Sequence, residues 1–182
     1  MASKAQADRE FVVLLDERRQ PIGTAPKATV HTQSTALHLA FSCHVVDDAG
    51  RMLVTRRALS KIAWPGVWTN ACCGHPAPGE PMEAAVRRRL AHELGVDVEG
   101  LELALPDFAY RAVDASGIVE NEVCPVFVGR IVGDLRPDPT EVAEWRWVEP
   151  DRLQAGIRAT PWAFSPWLVL QAEQLPVLAS AA

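Results

Sequence analysis

Residues 74–96 read GHPAPGEPMEAAVRRRLAHELGV, and this segment predicts the central helix of the fold. Its apolar residues recur at helical spacing, which gives a stripe formed by Ala85, Val86, Leu90 and Leu94. Pro81 suits the first turn of a helix, and Gly95 suits the position just beyond its C-terminus. We therefore predict a helix over residues 79–96, with the preceding residues in a loop.

The same segment resembles the signature of the Nudix hydrolases, G-x5-E-x7-R-E-U-x-E-E-x-G-U, in which U is apolar. The positions in register are Gly74, Glu80, Arg88, Leu90, Glu93, Gly95 and Val96. Arg89 and His92 stand where the family has metal-binding glutamates, so binding of the hydrolytic metal ions should be weak. The resemblance implies a Nudix-like α+β fold, with a mixed β-sheet sandwiched by helices, that no longer hydrolyses diphosphates.

The rest of the chain reads as strands with a few helices. We predict a strand at residues 10–16, a hairpin over 39–57, strands around 105–113, 118–132 and 144–148, a short helix at 150–155, and a last helix capped by Ser165. Residues 58–79 read as a long irregular loop, and a loop of this length is more often functional than idle. We expect one domain over residues 1–182, with loosely ordered ends at about 1–8 and 179–182.

Composition excludes several classes of protein. The net charge of -5 argues against nucleic-acid binding through phosphate neutralisation. No apolar run approaches the roughly 18 residues that a membrane span needs, and the first ten residues lack a signal peptide's apolar core. Two of the 4 cysteines are adjacent, which favours a reducing cytoplasm over a disulfide framework. No obligate protein partner is evident.

The octet TNACCGHP, residues 69–76, admits three interpretations: a metal site, a disulfide or a reactive thiol. A disulfide between Cys72 and Cys73 needs strained local geometry, and a structural zinc knuckle lacks a second pair of cysteines at ligand spacing. Elsewhere, Glu120 and Glu122 lie two residues apart, so a strand would place both on one face, where they repel unless a cation lies between them. Such pairs are also common on solvated strands.

Longer motifs carry a more specific resemblance. The segments LHLAFS, LVTRRALSK-x-x-WPGVWTN-x-x-CGHP, YRA-x-D-x-SGIVENEVCPVF and TPWAFSPW occur between about Val12 and Gln171. Together they resemble the type 1 isopentenyl-diphosphate delta-isomerases, metal-dependent enzymes of isoprenoid synthesis. The resemblance implies an isomerase that interconverts isopentenyl and dimethylallyl diphosphate, with a small prenyl diphosphate as its substrate.

The resemblance also implies two metal ions. One divalent metal is expected on His31, His38, His75, Glu120 and Glu122. Nitrogen and oxygen donors together fit Mn2+ and Zn2+ about equally well, with Mg2+ as a further candidate. A Mg2+ ion is expected to arrive with the substrate diphosphate, held by Glu93 and the main-chain oxygen of Cys73.

By the same resemblance, Cys73 and Glu122 are the acid/base pair, and Tyr110 lies beside Glu122. We expect nearby basic residues and a metal-bound His75 to favour the Cys73 thiolate. Trp167 is expected to stabilise a carbocation with its indole face, and the other five tryptophans are expected in the core. Lys27, Arg57, Lys61 and Arg89 are expected to bind the diphosphate. Cys43, Cys72 and Cys124 read as small buried apolar residues.

Two other functions remain possible on the sequence. One is a Nudix diphosphohydrolase that acts on a nucleotide derivative, which Arg89 and His92 disfavour. The other is a catalytically silent Nudix domain that senses a diphosphate, which the presence of Cys73 and Glu122 disfavours.

Overall fold

The computed structural model describes residues 10–179. The expected loose ends at residues 1–8 and 180–182 lie outside the described residues, whereas Ala179 closes the last described helix. No helix among residues 10–179 is both long enough and apolar enough to cross a membrane.

The strands, in chain order, are β1 Phe11–Leu15, β2 Pro21–Pro26, β3 His38–Leu39, β4 Phe41–Val46, β5 Met52–Arg57, β6 Trp68–Thr69, β7 Cys72–Gly74, β8 Asp97–Leu105, β9 Ala109–Val113, β10 Val119–Val123, β11 Val126–Val132 and β12 Val142–Val148. The helices are α1 Lys27–Val30, α2 Met82–Leu94, α3 Pro150–Ala159, α4 Pro166–Ala172 and α5 Pro176–Ala179, with a 3-10 turn at Pro161–Ala163. This content confirms the predicted α+β class.

The strands form two mixed sheets. The first has the order β2-β1-β3-β10-β9, and the second has the order β12-β5-β4-β11-β8. Each sheet contains one parallel pair, β3 with β10 and β4 with β11, and the other pairs are antiparallel. The chain crosses between the sheets at Cys124 and Pro125, so the stretch that reads as one strand is divided.

Strands β4 and β5 form the predicted hairpin but separate soon after its turn. Their register pairs Val46 with Met52 and goes no further. Beyond that point β6 pairs with β5, and β7 pairs with β4. The loop predicted to be irregular therefore contributes two short strands to the opening in the sheet, and this opening is where the cavity described below begins.

Helix α2 packs over the second sheet. Ala85, Val86, Leu90 and Leu94 are fully buried in a cluster with Phe41, Cys43 and Val45 of β4, which confirms the predicted stripe. The helix begins at Met82 rather than at residue 79. It ends at Gly95, whose φ of 68° is the left-handed conformation expected of a helix-terminating glycine.

Several features differ from the sequence prediction, including the short helices α1 and α5, which were not predicted. Strands β2 and β8 were not predicted, β6 and β7 lie within a supposed loop, and α3 continues to Ala159 rather than ending at residue 155. Two tryptophans also lie outside the expected core, since Trp162 is 81% exposed and Trp145 is 37% exposed. Strand β8 contains Gly100 at φ 56°, and its register with β11 shifts nearby, so a bulge interrupts the alternation that predicts strands.

Candidate active site

The parallel pairing of β3 with β10 creates the first half of the site. In this register His38 lies opposite Glu122. His31 follows α1, and His75 follows β7. Residues from four separate segments of the chain therefore meet between the two sheets, and each is placed by a strand or helix end rather than by a long loop.

The donor atoms of His31, His38, His75 and Glu122 lie within 4.8 Å of one another. His38 Nε2 is 3.2 Å from His75 Nε2, and Glu122 Oε1 is 3.1 Å from His75 Nε2 and 3.4 Å from His38 Nε2. The second strand carboxylate, Glu120, brings Oε2 to 3.0 Å from His31 Nε2. The five residues expected at the metal are thus gathered at one place.

The contacts within this cluster are those of a group that could hold a cation. His38 Nδ1 is 2.9 Å from the main-chain oxygen of Ala36 and donates to it, which turns Nε2 toward His75 and Glu122. His75 Nδ1 is buried without a hydrogen-bond partner among the described residues, and His31 Nε2 and Glu120 Oε2, although 3.0 Å apart, are not joined by a well-aligned hydrogen bond. Buried acceptors that converge in this way are stabilised by a cation, so the donor set fits a divalent metal.

The two carboxylates differ in their surroundings. Burial opposes ionisation of Glu122, but hydrogen bonds from His38 and His75 hold its pKa well below the usual value. Burial and the neighbouring Glu122 raise the pKa of Glu120. Tyr110, directly opposite Glu122 in the sheet, donates from its hydroxyl to Glu122 Oε2 at 2.9 Å. Burial, followed by the charge of Glu122, raises the pKa of Tyr110 well above its usual value.

Cys73 lies in β7, with its side chain at the cavity. Its sulfur is 3.3 Å from Asn70 Oδ1 and 3.4 Å from Ser42 Oγ. The residues of the chain alone do not favour the thiolate, and the expected effect of a metal-bound His75 stays a prediction. Burial raises the pKa of Cys73 to about 11 and outweighs the opposing hydrogen bonds from Ser42 and Asn70 and the charge of Arg57.

The neighbouring Cys72 points away from the cavity wall into the core beneath α2. Adjacent strand residues face opposite sides, so the two thiols occupy different environments. Cys43, Cys72 and Cys124 are all buried and unpaired, as expected, and burial raises the pKa of each. Among the described cysteines, Cys73 is the one that is not fully enclosed in the core.

Aromatic rings pack together next to Glu122. The Trp167 ring lies 5.6 Å from Tyr110 and 5.6 Å from Trp64, edge-on to the latter. Its indole nitrogen donates to Asn70 Oδ1 at 3.0 Å. The guanidinium of Arg57 lies 5.4 Å from the centre of the Trp167 ring, so this ring already contacts one cation.

One cavity of about 470 Å³ is lined by many of these groups, namely His31, Asn70, Cys73, His75, Tyr110, Glu120, Glu122 and Trp167. The four basic residues expected to bind diphosphate also line it, namely Lys27, Arg57, Lys61 and Arg89. Each has a partner on the protein. Lys27 bonds Glu10 at 2.6 Å, Lys61 bonds Glu141, and Arg57 donates to the main-chain oxygens of Ala63 and Trp64 at 2.8 and 3.1 Å.

Arg89 and Glu93 lie one turn apart in α2. Arg89 donates from Nε to Glu93 Oε1 at 3.0 Å and approaches Glu141 at 3.4 Å. The pair is buried, and Glu93 raises the pKa of Arg89 against the effect of burial. The predicted anion-binding residue and the predicted Mg2+ ligand therefore neutralise one another in the structure, although both line the cavity.

Other residues that match the Nudix signature have structural roles in this protein. Arg88 bonds Glu80 at 2.8 and 2.7 Å and the main-chain oxygen of His75 at 3.2 Å, which closes the loop before α2. A Cβ added to Gly74 would lie 2.8 Å from Arg89 Cγ and 3.0 Å from the Phe41 ring, so this position needs glycine for close packing.

Several site residues escaped the sequence analysis. Glu10 and Glu141 neutralise the cations, while Ser42, Asn70 and Gln171 are buried polar residues around Cys73. Asn70 lies within the octet TNACCGHP, so its closeness to Cys73 in the sequence could have marked it as a site residue. Nothing in the local sequence distinguishes Glu141 from an ordinary solvated glutamate.

Fold and site together define a protein of the NUDIX class. A family model described as NUDIX domain matches residues 36–168. Solved structures agree with this fold. DR0079 from Deinococcus radiodurans superposes with a TM-score of 0.71 over 92% of this chain and 99% of that one, at 20% identity. A MutT NUDIX hydrolase from Burkholderia pseudomallei gives a TM-score of 0.59 over 76% of this chain and 97% of that one, at 26% identity.

Curated relatives show which family of the NUDIX class this chain resembles. The isopentenyl-diphosphate Delta-isomerase of Agromyces mediolanus is 63% identical over 93% of this chain and 82% of its own length. The protein of the same name from Leifsonia xyli subsp. xyli (strain CTCB07) is 62% identical over 95% of this chain and 93% of its own length. The chain therefore belongs to the isopentenyl-diphosphate Delta-isomerase family within the NUDIX class.

Proposed function

We propose that this protein interconverts isopentenyl diphosphate and dimethylallyl diphosphate by metal-dependent protonation and deprotonation. The observation that carries the proposal is the placement of Cys73 and Glu122 in one cavity, together with a cluster of imidazoles and the rings of Tyr110 and Trp167. The family membership supports the same activity, since relatives covering most of the chain carry this name.

The reaction moves a double bond without net gain or loss of atoms. A new C–H bond forms at the terminal methylene carbon, and a C–H bond breaks at the carbon two positions away, so one group must give a proton and another must take one. We assign these roles to Cys73 and Glu122, each serving as acid in one direction and as base in the other. After one turnover the acid has lost a proton and the base has gained one. A proton must therefore pass from the base back to the acid before the next turnover. Tyr110, which bonds Glu122, is suited to that transfer.

We assign one divalent metal, Mn2+ or Zn2+, with Mg2+ as a further candidate, to His31, His38, His75, Glu120 and Glu122. Such a metal supplies positive charge at Glu122 and fixes the position of that carboxylate. We assign a Mg2+ ion that accompanies the diphosphate to Glu93 and the main-chain oxygen of Cys73. Arg89 bonds Oε1 of Glu93, so a Mg2+ ion on that oxygen would compete with Arg89.

The walls of the cavity suit a short-lived carbocation. Trp167 and Tyr110 present aromatic rings, which stabilise a cation without supplying a nucleophile that would capture it. Trp167 is 2% exposed and Tyr110 is 8% exposed, so water has little access to this end. Both features favour proton loss over addition of water.

The diphosphate is proposed to bind Lys27, Arg57, Lys61 and Arg89, because these cations surround one part of the cavity. A prenyl diphosphate that enters this way brings its apolar part toward Trp167. We further propose a cytoplasmic location, which fits the four unpaired thiols of the described chain.

The test is incubation of the metal-loaded protein with isopentenyl diphosphate and Mg2+, followed by phosphorus and proton NMR. The expected result is dimethylallyl diphosphate with the diphosphate intact. A parallel incubation with nucleotide diphosphate derivatives should release no phosphate. Hydrolysis of those derivatives together with unchanged isopentenyl diphosphate would contradict the proposal and support the diphosphohydrolase alternative.

A further inference from the structure

A chain of buried hydrogen bonds reaches the Cys73 sulfur from the side away from the cavity. His44 Nε2 is 2.8 Å from Gln171 Oε1, Gln171 Nε2 is 2.9 Å from Ser42 Oγ, and Ser42 Oγ is 3.4 Å from Cys73 Sγ. Ser42, His44 and Gln171 are each at most 1% exposed. Polar groups this deep are present because they satisfy one another.

The fold places this chain with little freedom. Ser42 lies directly opposite Cys73 in the β4–β7 register, so their side chains share one face of the sheet. His44 follows two residues later on the same face of β4. Gln171 lies one helical turn after Trp167 in α4, so one face of α4 carries both. Through Trp167, α4 also reaches Asn70, the second hydrogen-bond partner of Cys73.

The direction of every bond in the chain follows from Asn70. Its Nδ2 donates to the main-chain oxygens of Cys43 at 3.1 Å and Cys72 at 2.8 Å, and these oxygens can only accept. Oδ1 of Asn70 must therefore face Cys73. This oxygen accepts from Thr69 Oγ1 at 2.9 Å and Trp167 Nε1 at 3.0 Å, and because it can only accept, its 3.3 Å hydrogen bond with Cys73 is donated by the thiol. The remaining contact of the sulfur, with Ser42, then requires the hydroxyl to be the donor.

The same logic continues away from the sulfur. A hydroxyl that donates to Cys73 accepts from Gln171 Nε2, and Gln171 Oε1 accepts in turn from a protonated Nε2 of His44. Burial lowers the pKa of His44 to about 4, against the effect of its bond to Gln171, so the ring is neutral and carries one proton for this role. The chain is fully satisfied in this direction.

We propose that Ser42 donates a hydrogen bond to the Cys73 sulfur and thereby stabilises the negative charge left on that atom when it gives up its proton, and that Gln171 and His44 fix the direction of this bond. Ser42 would be a further catalytic residue because it contacts the reacting atom, whereas Gln171 and His44 are positioning residues. The catalytic part of the inference rests on the proposed isomerase function. A donor aimed where charge develops in a dry site is an effective way to stabilise it.

A second sulfur provides a matched control. Cys124 Sγ is 3.5 Å from Ser42 Oγ and is buried on the other side of the same hydroxyl. Cys124→Ala removes one buried atom beside Ser42 but leaves the bond from Ser42 to Cys73 in place. This variant should keep kcat and KM within about twofold of the unaltered protein.

The experiment compares Ser42→Ala with Cys124→Ala in the metal-loaded protein, using two readouts. The first is the rate at which iodoacetamide alkylates Cys73 at one fixed pH without substrate, located by mass spectrometry. The second is steady-state isomerisation. In Ser42→Ala we expect about tenfold slower alkylation and a kcat about 10- to 100-fold lower, with KM within about twofold, because a bond to a charged group is lost. Gln171→Met should lower the alkylation rate and kcat by about threefold to tenfold each. If thermal melting shows that Ser42→Ala does not fold, the test uses Gln171→Met instead.

Three results would overturn the proposal. Unchanged alkylation and kcat in Ser42→Ala would mean that the hydroxyl does not act on the sulfur. Faster alkylation would mean that the bond runs from the thiol to the hydroxyl. Equal losses in Ser42→Ala and Cys124→Ala would indicate a packing effect alone. If the unaltered protein does not isomerise the substrate, the proposed function fails, while the alkylation comparison still tests the hydrogen bond.

Discussion

The two ends of the cavity are built in opposite ways. At the imidazole end, three imidazoles and two carboxylates converge, and His75 Nδ1 is buried without a hydrogen-bond partner among the described residues. At the basic end, Lys27 and Lys61 are already paired with carboxylates of the protein itself. The first end is prepared to gain a cation, whereas the second end must exchange one anion for another.

This difference bears on how each end binds. A metal at the imidazole end supplies interactions that the protein alone leaves unmade, so its binding also stabilises the fold. A diphosphate at the basic end gains its contacts only after Glu10 or Glu141 releases a lysine. The affinity for diphosphate therefore depends on the difference in free energy between the lysine–diphosphate pairs that form and the lysine–glutamate pairs that break. Substitutions at the two ends should have different signatures.

The largest effect is expected from Glu122→Gln, at the imidazole end. This group is assigned both to the metal and to the acid/base pair, so turnover should fall by more than about 10⁴-fold and metal content should fall with it. Elemental analysis and the isomerase assay measure the two losses. Glu102→Gln, an exposed change of the same kind on β8, should alter neither. Full metal content with lost turnover would remove Glu122 from the metal set.

Cys73→Ala should lower turnover by about 10²- to 10⁴-fold, the usual range for loss of a general acid or base. Metal content and melting temperature should stay near those of the unaltered protein, because the side chain of Cys73 is assigned to neither the metal nor the core. Cys72→Ala is the matched control and should retain most of the activity. Equal loss in both variants would count against the assignment of the reactive thiol.

Lys61→Gln, at the basic end, should raise KM for the diphosphate by about 10- to 100-fold, through the loss of a charged hydrogen bond. The kcat should change much less, because the lysine does not contact the reacting carbons. Steady-state kinetics separate these two parameters, with the exposed Arg152→Gln as a control. A fall in kcat at unchanged KM would contradict the assignment of Lys61 to the diphosphate.

Glu141→Gln should have the smallest effect and the opposite sign. It removes the carboxylate that pairs with Lys61 and approaches Arg89, so inorganic pyrophosphate should bind about threefold more tightly. Glu144→Gln is the control, since Glu144 pairs with Arg56 away from the cavity lining. Weaker pyrophosphate binding in Glu141→Gln would show that Glu141 positions the cations rather than competing for them.

The parts of the fold that could be predicted are those set by local pattern. Helix α2 shows in its apolar stripe and its terminal Gly95, and the β4–β5 hairpin shows in the polar turn Asp47–Gly50 between two apolar runs. Strands β6 and β7 could not be predicted in this way. They are two and three residues long and exist because β4 and β5 separate, which depends on the assembled sheet.

The site residues divide in a similar way. The five expected metal ligands are brought together, and the resemblance to a family is what selected them, since spacing alone left solvated or structural roles open. The effect of burial on the pKa of the Cys73 thiol was missed, because burial depends on tertiary packing, which the neighbouring basic residues in the sequence do not reveal. Glu141 was missed for the same reason, because its contacts with Lys61 and Arg89 join distant parts of the chain.

The central claim is metal-dependent proton exchange on a prenyl diphosphate, and NMR in D2O tests it most directly. Purified protein is incubated with isopentenyl diphosphate and Mg2+, and the run is repeated after a chelator has been added. The expected product is dimethylallyl diphosphate that carries deuterium on the carbon that was the terminal methylene. The chelator should suppress its formation. An unchanged substrate spectrum from folded, metal-loaded protein would contradict the central claim and would indicate a domain that binds diphosphate without isomerising it.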